Sequence, residues 1–172
     1  MGKRKALSRV NAKAPVRPRV EHAAGVSTLG SLWALHGPAD DPNSLRYLEL
    51  SIDGAPLKEL FARDCVTPFG WGTIPSQMAA LDALLMLVPG ELPGGRVSLH
   101  VCHVCGDAGC GAVAALVEQR SGLVVWRDFG VDDPNFGQVD RRGFEDLGPF
   151  YFEANAYRRA LEEVRRVVRT GR

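Results

Sequence analysis

Cys102, Cys105 and Cys110 fall within nine residues, in the run His100-Val101-Cys102-His103-Val104-Cys105-Gly106-Asp107-Ala108-Gly109-Cys110-Gly111, and this run constrains the chain more than any other feature. Gly106, Gly109 and Gly111 make it a poor helix, because glycine carries the largest backbone entropy cost of the residues that can enter one. It therefore reads as the glycine-rich tip between two strands. Such a tip buries little, so whatever orders it comes from its side chains.

Those side chains are five soft or borderline metal ligands within eleven residues. Two residues between thiolates let both sulfurs turn toward one ion, and a following glycine permits the tight backbone that brings amide N–H groups near sulfur. Cys102, Cys105 and Cys110 are thus candidate zinc ligands. On a strand, His100 shares a face with Cys102, which makes it the expected fourth ligand, with His103 or Cys65 as substitutes. Two other readings compete. Small buried cysteines at a hairpin need no metal. Cys102 and Cys105 also have the spacing of a redox dithiol, with Cys102 as nucleophile and Cys105 as resolving thiol. Covalent haem attachment is excluded by spacing, since Gly106 stands where a histidine would be required.

The rest of the chain supplies the frame. Residues 45–52 alternate apolar and polar and end at Asp53-Gly54, a strand running into a turn. Residues 96–102 read as a strand. Residues 111–118 and 123–129 flank Arg120-Ser121-Gly122 as the two arms of a hairpin, although Ala112, Ala114 and Ala115 leave a strand-then-helix alternative open. Leu29, Leu32, Trp33 and Leu35 allow a short helix over residues 26–36. Residues 78–88 read as a buried central helix with Ser76 as N-cap. Tyr157, Ala160, Leu161, Val164 and Val168 repeat at helical spacing opposite a charged face, so the chain ends in an amphipathic helix. With no internal repeat and no repeated βαβ order, the expectation is an α+β fold: a small, mostly antiparallel sheet, a buried central helix and a C-terminal amphipathic helix.

Lys3, Arg4, Lys5, Arg9, Lys13, Arg17 and Arg19 all precede the first acidic residue, Glu21, so the net charge of +1 hides a basic start and an acidic remainder. Residues 1–24 are expected to be a flexible basic tail and residues 25–172 a single α+β domain, since a 172-residue chain with 45% apolar and 24% charged residues suits one globular core. The tail suits salt-sensitive phosphate contacts, which Arg158, Arg159, Arg165 and Arg166 could extend. Nothing approaches the roughly 18 apolar residues of a membrane helix, and Ala, Asn and Pro follow the basic start where a signal peptide needs an apolar core. A cytoplasmic protein without membrane contact is expected, and clustered thiols fit that compartment.

The pattern Cys102-x-x-Cys105-Gly-Asp-x-Gly-Cys110-Gly-Ala, then Val125-Trp126-Arg127-Asp128-Phe129, then Gly148-Pro149-Phe150 and a Tyr157-bearing helix resembles a family of small uncharacterised bacterial proteins. They are mainly actinobacterial and sometimes loosely labelled oxidoreductase. The resemblance spans residues 45–168 and implies the boundaries and the hairpin; it supplies no mechanism. His103 stands where the resemblance leads one to expect proline, which removes a rigid element from the knuckle.

Other features are weaker. Asp128-Phe129-Gly130 matches a kinase magnesium triplet, but the chain lacks the companion motifs and the triplet reads as a strand end. Asp128, Asp132, Asp133 and Asp140 could gather round a divalent cation, against a solvated turn as the simpler expectation. Phe136, in the loop of residues 130–143, is an interaction candidate, and Phe69 and Trp71 either line a pocket or cap the core. The leading expectation is a non-catalytic zinc-stabilised domain that works by contact with another protein. The alternatives are a thiol-disulfide oxidoreductase using Cys102 and Cys105, and an accessory protein tethered to nucleic acid by its basic tail.

Overall fold

The structure, a computed structural model, describes residues 25–133 and 137–171. The basic segment 1–24, the expected seat of nucleic-acid contacts, and Phe136 lie outside the described residues. In chain order the elements are β1 (Leu29–His36), β2 (Leu45–Ile52), β3 (Ala55–Pro56), α1 (Leu57–Phe61), α2 (Ile74–Leu84), β4 (Val97–His100), β5 (Ala112–Arg120), β6 (Leu123–Asp133), β7 (Gln138–Asp140), β8 (Phe150–Glu153) and α3 (Ala154–Thr170). The fold is α+β as expected, but its strands form two antiparallel sheets: β1-β2-β3, and β4-β5-β6-β7 with β8 also on β6. No helix among the described residues is long and apolar enough to cross a membrane.

The expected helix over residues 26–36 is instead β1, paired along its full length with β2 from Leu29↔Ile52 to His36↔Leu45. Its apolar spacing fits both periods, and cross-strand pairing decides. Leu32 and Leu35 remain exposed on this outer strand, while Trp33 is covered by the Arg46 guanidinium 3.9 Å above its ring. β2 departs from simple alternation in a different way, because every residue from Tyr47 to Ile52 is buried, Glu49 included. α2 begins earlier than the sequence implies. Thr73 is its cap, and its hydroxyl both accepts the Ser76 N–H and bonds the Ser76 hydroxyl.

The alanine-rich segment is strand throughout: β5 pairs with β6 to close the hairpin at Ser121-Gly122, both at positive φ. Ala112, Ala114 and Ala115 are buried, so small side chains here admit neighbouring layers. β6 serves three neighbours. Leu123–Trp126 pairs with β8, Val131–Asp133 with β7, and a bulge in between opposes Ala114 to Gly130 and Leu116 to Arg127. Asp128 sits in this bulge at φ 55°, a region that short polar side chains tolerate.

The bulge aims Asp128 at two guanidiniums. Buried Arg96 donates from Nη1 to Asp128 (2.8 Å), from Nε to Asp132 (2.7 Å) and from Nη2 to the Ala114 carbonyl (3.0 Å), while Arg141 donates to both Asp128 oxygens at 2.5 and 2.9 Å. The Arg141 hydrogen bonds, aided by the charge of Arg96 and opposed by burial, hold Asp128 below the usual carboxylate range. Asp140 is likewise held by Arg142 at 2.7 Å. Asp128, Asp132 and Asp140 are therefore matched by arginine, which removes the reason to expect a cation among them.

One buried cluster draws on both sheets and all three helices, with Trp126, Phe152 and Tyr157 packed at ring separations of 5.3–6.1 Å. The two polar handles in it are satisfied in series: Trp126 Nε1 donates to the Tyr157 hydroxyl (3.0 Å), which donates to the Leu84 carbonyl (2.9 Å). This ties β6 to α3 and to the C-terminal end of α2. Tyr157→Phe strands a buried indole N–H and a buried carbonyl, so urea unfolding is expected to show a loss of about 2–4 kcal/mol; a loss below roughly 0.5 kcal/mol would show that neither bond matters to stability.

Candidate metal centre

β4 ends at His100, and Val101 makes an isolated antiparallel bridge with Val66, its N–H and carbonyl paired at 2.7 and 3.1 Å. Beyond that bridge the chain turns. The Gly106 N–H donates to the Cys102 carbonyl at 2.8 Å, with Gly106 at φ 71°, and Asp107 caps a short 3-10 turn (Ala108–Cys110) by accepting the Gly109 N–H at 2.7 Å. Gly111, at φ 94°, then feeds β5. A Cβ on Gly106 would lie 3.2 Å from the Trp71 ring, so the absence of a side chain there lets the indole pack against the loop. Trp71 is itself fixed by donating to the Thr67 carbonyl at 2.8 Å.

This path brings the three cysteines together. The sulfurs of Cys102, Cys105 and Cys110 all lie within 4.8 Å of one another, with Cys105 and Cys110 at 3.4 Å. Four sulfurs at about 2.3 Å from a tetrahedral zinc would sit roughly 3.8 Å apart, so the cluster can hold a metal ion with small side-chain adjustment. Cys105 and Cys110 are exposed and Cys102 is half-buried. Electrostatically they differ. Backbone N–H groups of Cys105 and then Val104 lower the Cys102 thiol below its ordinary value, whereas the neighbouring Cys105 sulfur pushes Cys110 up to about 11.

His100, expected as fourth ligand from strand alternation, is committed elsewhere. It is fully buried, with Nε2 3.0 Å from Glu49 Oε1 and Nδ1 3.6 Å from the Cys65 sulfur, and Phe61 meets its ring edge-on at 4.9 Å. Strand alternation does not carry from His100 to Cys102, because the register slips between Ser98 and His100 and the strand stops before Cys102. Glu49 also accepts from the Tyr47 hydroxyl (3.1 Å) and the Leu50 N–H (2.9 Å). Burial, reinforced by Glu49, pushes the Cys65 thiol up to about 12, and Cys65 lies in the core against His100, outside the group formed by Cys102, Cys105 and Cys110.

The other expected substitute, His103, joins a different group. Its ring lies 4.2 Å from that of His36, and His36, Asp64 and His103 each offer a ligand atom within 4.8 Å of the others. Burial, followed by the charges of Lys58 and His103, lowers His36 below the usual histidine value. Of the two aromatic candidates, Phe69 is buried in the core, while Trp71 lines a shallow cavity of about 240 Å3 with Trp33 and Arg46. A cleft of about 380 Å3 beside Phe144 carries Arg120, Arg127 and Arg141, but the first two bond Glu118 and the third bonds Asp128. On α3, Arg165 is paired with Asp82 and Glu162, and Arg166 with Glu163, which takes two cations out of the expected basic surface.

No family model, no curated protein and no solved structure matches this chain. In reduced, metal-free protein at neutral pH, iodoacetamide is expected to modify Cys102 before Cys65, followed by peptide mass spectrometry over a time course; equal rates at the two would contradict the environments described here.

Proposed function

We propose that the chain is a non-catalytic domain, stabilised by zinc at Cys102, Cys105 and Cys110, that works through contact with another protein. The observation that carries this reading is the convergence of three sulfurs on one point at the tip of an otherwise weakly held loop. Thiolates are the donors zinc prefers, and a metal cross-link at a glycine-rich tip supplies order that packing does not. Two further features support a contact role. Val104 is 77% exposed between two of the cysteines, an apolar side chain offered to solvent at the tip. With His100 in the core, three protein thiolates leave a fourth coordination position for water or for a donor brought by a partner.

A second reading is favoured by one observation, the lowered Cys102 thiol under two backbone N–H groups. In it, the Cys102 thiolate attacks a partner disulfide, Cys105 resolves the mixed disulfide, and the partner leaves as a dithiol while Cys102 and Cys105 end as a disulfide. The two readings separate by thiol behaviour. Elemental mass spectrometry of purified, untagged protein is expected to find about one zinc per chain, with three thiols becoming reactive only after chelation. No metal, with thiols that cycle with a reductant, would overturn the zinc reading in favour of the redox one.

His100 gives an independent check. His100→Ala removes the partner of buried Glu49 and is expected to cost about 3–5 kcal/mol in chemical denaturation. The folded fraction should nonetheless retain the same zinc-to-protein ratio and zinc affinity. A large loss of affinity would return His100 to the ligand set.

A further inference from the structure

The geometry points to a second ion site, formed by His36, Asp64 and His103, for a divalent first-row transition metal. The three residues come from separate segments: His36 ends β1, Asp64 lies in the bend after α1, and His103 sits inside the cysteine loop beside Cys102. Folding brings one ligand atom from each within 4.8 Å of the others, with His36 Nε2 3.4 Å from Asp64 Oδ1. Two imidazoles and one carboxylate suit borderline divalent ions, and three ligands grouped on one side leave the remaining positions open. Asp64 is 80% exposed at its side chain and His36 only 16%, so an ion would enter from the solvent side and rest on the imidazoles.

A second observation points to a missing ligand. Nδ1 of His103 is buried and has no hydrogen-bond partner among the described residues. Buried polar atoms are nearly always paired, and an unpaired ring nitrogen beside a second imidazole is the group a bound ion satisfies. The inference uses no cysteine, so it does not depend on zinc at Cys102, Cys105 and Cys110.

Lys58 opposes the ion. Its ammonium lies 3.3 Å from His36 Nδ1, while Nε2 of the same ring faces Asp64, so its charge repels a dication held on that imidazole. That gives a test with two signs. Loss of a ligand should weaken binding, whereas loss of the Lys58 charge should strengthen it; a pair of histidines that merely packs would show neither.

The experiment is titration of the full chain with Co2+, followed by absorption, in wild type and in the Cys102→Ser/Cys105→Ser/Cys110→Ser variant. Cobalt on thiolates gives an intense near-ultraviolet charge-transfer band, and cobalt on nitrogen and oxygen gives only weak visible bands. The triple variant is expected to bind one equivalent without the thiolate band. His36→Gln, His103→Gln and Asp64→Asn should each weaken that binding by more than the roughly 10- to 100-fold cost of losing an outer-shell partner, and Lys58→Met should tighten it severalfold. If the triple variant does not fold, wild type serves: its second equivalent should add no thiolate band and should vanish in His36→Gln. Absence of cobalt binding in the triple variant when folded, or binding that His36→Gln and His103→Gln leave unchanged, overturns the site. A missing thiolate band in wild type, with the second site intact, overturns the cysteine reading instead.

Discussion

The contact between Glu49 and His100 is the constraint on which the rest of the molecule depends. Glu49 belongs to β2 in one sheet and His100 to β4 in the other, and both are fully buried. Tyr47 and the Leu50 N–H donate further hydrogen bonds to Glu49, and Cys65 meets the other ring nitrogen of His100. A buried polar pair of this kind adds little to stability beyond what apolar residues of similar volume would give, but its loss on one side is costly. It therefore fixes how the sheets meet. The stretch from Cys65 to Phe69 is sewn to both: Val66 pairs with Val101, the Thr67 hydroxyl donates to the Leu48 carbonyl at 2.5 Å, and Leu48 donates to the Phe69 carbonyl at 2.9 Å. The cysteine loop departs one residue beyond His100, so its point of exit is set by this buried pair and by the Val66–Val101 bridge.

The other end of β4 is governed by charge. Arg96 immediately precedes β4 and spends its guanidinium on Asp128, Asp132 and the Ala114 carbonyl, so the bulge in β6 is pinned across β5 by the chain entering β4. The frame is thus fixed before and after β4 by buried polar groups. What lies between β4 and β5 is free to be a short, exposed loop whose conformation is set by glycines and by its own side chains.

Much of the frame was legible in the sequence because its signals are local. β2, the β5–β6 hairpin and α3 each carry a periodic pattern with a turn or cap at the end, and the structure follows them closely. β1 was not, since Leu29, Leu32, Trp33 and Leu35 fit a helical stripe as well as a strand, and only eight residues of pairing with β2 decide between them. The site was legible in part. The three cysteines announced themselves by spacing, but the role of His100 rested on extending strand alternation through a register slip that sequence does not mark. Glu49 and Arg96 gave no signal, and Asp132 read only as one of several carboxylates that could gather round a cation: a buried charge is recognised by a partner distant in sequence, 51 residues away for Glu49 and 36 for Arg96. His36 and Asp64 were missed because they and His103 lie far apart in the chain and only the fold brings them together.

Trp71 packs directly against Gly106 at the base of the cysteine loop, whereas Trp126 is sealed in the core and Trp33 lies under Arg46. The indole with a direct view of the loop is thus half-exposed and held by a single backbone hydrogen bond. Its emission depends on the polarity and motion of its immediate surroundings, and those change whenever the loop tightens or loosens. The molecule consequently carries an intrinsic optical reporter of the state of its own cysteines, readable without any label.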